Sequence, residues 1–182
     1  MLESLNKNFG LLIAFVLPGF IYLLGTIAID NGGSIDWPHQ VKSLNDLGGL
    51  LFFILAATAI GMVLSAIRWI VLDNVHHATG LTAPALDYRN LEIKQASFML
   101  VVENNYRYYL FYGNTLMAMV LIGLSGFTNE TGLSRLTLIR LLAICLVLFF
   151  ASRDSLSRFY SRSRLIMGEA APVRKFKNRK HC

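Results

Sequence analysis

Asp73, His76 and His77, in the stretch DNVHH, are the residues of this chain whose types and spacing come nearest to chemistry. Positions i, i+3 and i+4 share a helix face, and a carboxylate beside imidazoles suits zinc or iron. A metal site there needs at least one further ligand from elsewhere in the chain. Adjacent side chains on a regular helix also diverge by about 100°, so His76 and His77 cannot converge on one ion. The alternative is that all three are polar material just beyond a membrane span. The sequence therefore assigns no metal and no other cofactor, and keeps Asp73, His76 and His77 only as what a metal-dependent or membrane-embedded enzyme would use.

Other catalytic arrangements are harder to find. Cys145 lies in the apolar run LTLIRLLAICLVLFFA with no acid or base beside it in sequence, and reads as a packing residue. No glycine-rich phosphate loop, GxSxG or HExxH occurs, so no catalytic residue is assigned and the expectation is a protein that is not an enzyme. Coupled transport needs an ionisable group near the bilayer midplane. Here only Arg140 enters an apolar run, close to one end, and the polar groups within the runs are chiefly Thr58, Ser65, Asn114 and Thr115. A channel or uniporter lined by Asn114 and Thr115 is the transport alternative.

The elements that must position these residues follow from composition. Of 182 residues, 54% are hydrophobic and 15% charged, and mean hydropathy is +0.51, too apolar for an ordinary soluble domain. Four uncharged or nearly uncharged runs predict an all-α polytopic membrane protein with spans at about 9–29, 47–69, 108–127 and 134–151. Pro18 and Gly19 in the first run predict a kink whose freed backbone groups neighbouring helices must satisfy. Ala57, Gly61 and Ser65 recur every four residues in the second, a small-residue stripe along which another helix backbone can approach.

The connection after the second run is the longest. Its latter half predicts a cytoplasmic helix leading directly into the third span, with Leu91, Gln95, Phe98 and Val102 near one face. Residues 1–155 thus form one four-helix transmembrane domain, and 156–182 a basic juxtamembrane tail. From Arg153 to Cys182 nine Lys or Arg stand against Asp154 and Glu169, leaving the rest of the chain near neutral. Cations flank the connection after the second span and fill the tail, which predicts both termini on the cytoplasmic side of a bacterial inner membrane. Leu156, Phe159, Tyr160, Ile166 and Met167 recur among four arginines, as in an amphipathic helix lying on anionic lipid.

The stretch ENNYRYYLFYGNTL, residues 103–116, holds four of the seven tyrosines beside Arg107. At helical spacing those rings spread around the circumference, which suits a headgroup-level belt at the entry of span three and disfavours a base-stacking platform. Nucleic acid is not an expected partner. Arg68, Trp69, Glu103, Arg107, Tyr108, Tyr109, Tyr112, Arg153 and Asp154 form the expected set of interfacial anchors. Both signs occur at each span end, so cross-helix ion pairs there would make a collar.

LPGF in the first span, AIRWIVLD closing the second, NYRYYLFYGN opening the third and ASRDSLSRFY after the fourth resemble small four-span bacterial inner-membrane proteins of an uncharacterised family. That resemblance implies an architecture and carries no catalytic residues. The function expected from the sequence is a non-enzymatic membrane protein that forms homo-oligomers or anchors a cytoplasmic protein partner. A pore-forming or membrane-perturbing effector, as in phage defence, is an analogy of design only.

Overall fold

The computed structural model describes residues 10, 12–30, 47–128 and 134–168. Residues 31–46 and the expected tail beyond Gly168 lie outside the described residues. The described residues are helical apart from the connection at 79–87 and the ends at 134 and 168, with no extended strand among them. A wide π-turn, Leu12–Val16, leads into α1 (Leu17–Asp30); α2 is Leu47–Ala78. After a short 3-10 turn at Tyr88–Asn90 comes α3 (Leu91–Val101), then a second π-turn, Val102–Tyr106, α4 (Arg107–Thr128) and α5 (Arg135–Met167). Four helical stretches are long and apolar enough to cross a membrane: Leu12–Ile29, Leu47–Ala78, Leu91–Gly126 and Arg135–Met167.

α4 is the hub. Its residues Gly113 to Ala118 are buried without interruption, so this helix is covered on all sides, with α1, α2 and α5 packed around it. Leu116, Met117 and Ala118 form the core with Leu64 and Leu72 of α2, and Cys145, Leu148 and Phe149 of α5 close over it. Neighbouring helices alternate in direction. Consequently the start of α1, the end of α2, the start of α4 and the latter half of α5 meet at one end of the bundle.

The glycines allow these approaches. A Cβ on Gly61 would fall 1.9 Å from the Phe15 carbonyl oxygen, and one on Gly19 would fall 1.8 Å from that of Ala57. At this crossing α1 and α2 therefore meet backbone to backbone, over Ala57 and Gly61, while Ser65 one turn on stays half-exposed. Pro18, buried in α1, has no N–H to give the carbonyl four residues back, that of Ala14. The π-turn absorbs the irregularity, and Asn114 Nδ2 of α4 donates to the Ala14 oxygen at 2.8 Å. The expected neighbour that satisfies the proline break is thus a single amide.

Helices α2 and α5, at 32 and 33 residues, are about 48–50 Å long at 1.5 Å per residue. Both outrun the apolar segments read from the sequence. α2 ends in a Schellman motif: Gly80, at φ +94°, donates to His77 O at 3.1 Å and Leu81 to His76 O at 3.1 Å. α5 passes Ala151 without a break and stops at Gly168, φ +81°. Asp87 N–H reaches the Gly168 carbonyl at 3.2 Å, tying the strap after α2 to the end of α5.

Two local expectations change. Phe98 and Val101 of α3, and Asn105 in the π-turn after it, face inward, rotated from the expected Leu91, Gln95, Phe98, Val102 face; Leu91 and Gln95 are exposed. The π-turn that follows inserts an extra residue per turn, which a fixed 3.6-residue period cannot anticipate. Phe159 and Leu156, expected on a lipid-facing surface of the tail, pack inward instead. The Phe159 ring lies 5.1 Å from that of Tyr106 and 6.4 Å from that of Phe98.

Candidate functional site

The end where the helices converge carries a buried polar knot. Arg68, on the α2 face that turns to α4, has a side chain only 5% exposed. Gly113 makes the room for it: a Cβ there would stand 2.6 Å from Arg68 Cδ. The guanidinium passes over the Tyr109 ring, 4.7 Å from its centroid, and donates from NH1 to Asp73 Oδ1 at 2.8 Å. The Tyr109 hydroxyl donates to the same carboxylate oxygen. One acid thus holds a cation of its own helix and a phenol of α4.

A second tie joins α2 to α5. His76 is fully buried and its Nε2 lies 3.2 Å from Ser152 Oγ, with the ring 5.2 Å from Phe149 and 6.1 Å from Tyr109. Burial, then the Arg153 cation, holds this imidazole below its ordinary pKa, with Asp73 acting in the opposite sense. His76 lies two turns beyond Trp69, outside the apolar run. Arg153 caps α2 directly: its NH2 donates to Thr79 O at 2.9 Å and its NH1 to the Thr79 hydroxyl. His77 Nε2 stands 3.3 Å from the Tyr160 hydroxyl.

The three residues singled out for metal are therefore not brought together. Asp73 faces Arg68 and Tyr109, His76 faces Ser152, and His77 faces Tyr160. Among the described residues no three His, Cys, Asp or Glu side chains group closely enough to hold an ion. His76 and Ser152 have the separation of a base and a nucleophile, yet both are fully buried and neither lines the clefts given below. The knot ties helices together through Asp73–Tyr109, His76–Ser152 and Arg153–Thr79, while Arg68 Nε and His76 Nδ1 stay buried without a hydrogen-bond partner.

The anchors divide accordingly. Arg68 turns inward rather than toward headgroup level, because Asp73, five residues on, offers it a counter-charge. Trp69 is exposed, Tyr108 and Tyr112 stack on the outer side at 6.3 Å between centroids, and Tyr109 is buried. The ion pairs Arg68–Asp73, Glu103–Arg107 (3.3 Å) and Asp154–Arg158 (2.8 Å) each form within one stretch of chain. The cross-helix work of the expected collar falls instead to hydrogen bonds. Asn114 Nδ2 is taken by the Ala14 carbonyl, while Asn114 Oδ1 and the neighbouring Thr115 hydroxyl are buried without a hydrogen-bond partner. Sequence reasoning missed Ser152, Thr79 and Gly113. The signal for Gly113 was present: glycine, asparagine and threonine in succession inside an apolar run mark the covered face of a hub.

Three clefts border this framework. A largely apolar groove of ≈ 670 Å³ runs between the Leu12–Val16 turn and α2, past Thr58, Met62 and Ser65 to Arg68 and Trp69. A pocket of ≈ 310 Å³ lies between Gly10 and Ile13, ahead of α1, and the second π-turn with the start of α4. A shallow cleft of ≈ 460 Å³ follows the outer side of α3, with Glu92, Ile93, Met99 and Leu100. No family model, curated protein or solved structure matches the chain.

Proposed function

We propose that the chain is a four-span protein of the bacterial inner membrane, with both ends cytoplasmic, whose work is to hold a rigid platform at the membrane face for a cytoplasmic protein partner. The observation that carries this reading is the knot. α2 and α5 exceed the ~30 Å hydrocarbon core by several turns, and their excess emerges at the end where Asp73–Tyr109, His76–Ser152 and Arg153–Thr79 lock the helices. A bundle that only had to remain in a bilayer needs no such extension. α3, which precedes the third apolar run, is held on this platform with Ile93 86% exposed and Leu100 beside it. Arg158, Arg162 and Arg164 on α5 suit the anionic surface of the same leaflet.

Self-association is the companion reading, favoured by the outer face of α5, where Ile139, Leu142, Leu146, Val147 and Phe150 are exposed. A membrane-perturbing effector would be one outcome of such assembly. The use of Asn114 as a partner for the Ala14 carbonyl supports a packing role for that residue over a pore-lining one.

Photo-crosslinking in intact cells from position 93 and from position 142 tests both readings. A defined protein adduct from 93 supports the platform, and an adduct of twice the 20.4 kDa chain mass from 142 supports the homo-oligomer. Lipid adducts alone from both positions would contradict the proposal.

A further inference from the structure

We propose that the pocket between the residues ahead of α1 and the second π-turn binds a zwitterionic phospholipid headgroup carrying a primary amine, of the phosphoethanolamine kind. The proposal rests on the membrane reading above. The pocket, ≈ 310 Å³, is lined by Gly10, Ile13, Glu103, Asn104, Arg107, Tyr108 and Phe111. Glu103 Oε1 and Arg107 NH2 are 3.3 Å apart, and their side chains are 26% and 19% exposed, so opposite charges stand side by side, partly desolvated but reachable.

A fixed pair of this kind presents a dipole, and the ligand that complements it is the reverse dipole. An ammonium set on Glu103 and a phosphate set on Arg107 make four charges alternate in sign. Each has a charge-assisted hydrogen bond available, because a carboxylate accepts at two oxygens and a guanidinium has five N–H donors of which the ion pair uses few. A purely anionic headgroup would bring its charge against Glu103, and a quaternary ammonium has no N–H to give. The primary amine meets both conditions.

Depth and shape agree with a lipid. Glu103 and Arg107 lie where α4 begins its apolar run, while Ile13, in the Leu12–Val16 π-turn, and Phe111, one turn along α4, line the pocket further in, the direction an acyl chain would take. Gly10 lets the backbone ahead of α1 pack directly against the guanidinium: a Cβ there would stand 2.4 Å from Arg107 NH1. Tyr108, exposed beside the pair, adds a hydroxyl at headgroup level.

The test is native mass spectrometry of the purified full chain in non-ionic detergent, titrated with short-chain phosphatidylethanolamine, phosphatidylcholine and phosphatidylglycerol. The expected result is retention of the ethanolamine lipid about tenfold over the other two, about 1.4 kcal/mol. Glu103→Gln is expected to reduce the margin over the choline lipid to under about threefold, and Arg107→Gln to weaken both. Gly10→Ala, which alters no charge, is expected to lose the lipid by displacing the Arg107 guanidinium and serves should either charge variant fail to fold. Equal retention of the ethanolamine and choline lipids, preference for the glycerol lipid, or an unchanged preference in Glu103→Gln would overturn the proposal. Alkaline extraction of membranes from the same cells separates the two readings. Wild-type protein released to the soluble fraction sinks the membrane reading, whereas protein retained in the membrane without lipid preference sinks only the headgroup site.

Discussion

The side-chain amide of Asn114 on α4 donates to the Ala14 carbonyl at 2.8 Å, across one hundred residues of chain, at the acceptor that Pro18 leaves without a backbone donor. A proline in α1 thus specifies a polar residue in the middle of another apolar helix. Buried hydrogen bonds between membrane helices contribute about 0.6–2 kcal/mol, and this one also relieves an orphaned backbone group. Asn114→Ala is expected to lower unfolding stability in detergent by about 1–2 kcal/mol. In a Pro18→Ala background, where the helix can supply its own N–H, the same substitution should cost at least about 0.5 kcal/mol less, a coupling that a double-mutant cycle reads directly.

Removing one partner of a buried ion pair is costlier than removing both. Asp73→Ala strands the Arg68 guanidinium, 5% exposed, and is expected to destabilise by about 3–5 kcal/mol. The paired change Arg68→Met with Asp73→Asn should cost less than Asp73→Ala alone. Tyr109→Phe keeps the ring under the guanidinium and removes only the hydroxyl, an expected loss of about 1 kcal/mol. Chemical denaturation of the purified variants gives all three values.

The α1–α2 crossing leaves no room for a methyl group. Gly61→Ala places a Cβ against the Phe15 backbone, which cannot move aside without shifting α1, and is expected to cost about 3 kcal/mol or more. Gly113→Ala meets the side chain of Arg68, which can adjust, so its cost should be smaller. A thermal-unfolding comparison of the two variants checks the ranking.

Acid should loosen the knot at His76. Its pKa is depressed in the folded state, chiefly by burial, so the unfolded chain binds the proton more readily. The stability it contributes is complete above the unfolded value of about 6.5 and is lost as pH falls from there toward the lower folded value. His76→Gln, which cannot take up that proton, should flatten the pH dependence of unfolding between pH 7 and 5.

Length and apolarity made the helices legible, because a run of about twenty apolar residues has few other uses. Leu47 begins both the expected second span and α2, and the third and fourth runs open within a residue of Arg107 and Arg135. The end of α2 was not legible: it reaches Ala78, where polar residues are tied down by distant partners, whereas a helix through Met167 was legible in the tail and only its unbroken continuity with the fourth span was not. Asp73 meets Tyr109 and His76 meets Ser152 across separations that no local pattern reports. Pro18 did announce an unsatisfied carbonyl, and Asn114 was visible as a polar residue in an apolar run. Their pairing required the bundle. The second π-turn shifts the register by one residue, and α3 presents Phe98 inward as expected, but with Val101 in place of Leu91 and Gln95.

The central claim, that the knot sits on the cytoplasmic side of a four-span membrane protein, is tested most directly by single-cysteine accessibility. In a chain with Cys145 and Cys182 replaced by serine, Ala78→Cys and Leu165→Cys report the knot end, and Ser134→Cys reports the opposite end. Each is treated with a membrane-impermeant maleimide in right-side-out and inside-out vesicles. The account predicts that position 134 reacts only in right-side-out vesicles and that positions 78 and 165 react only in inside-out ones. Equal reaction of all three positions in both preparations, or reaction of 78 and 165 from the outer face, would contradict it.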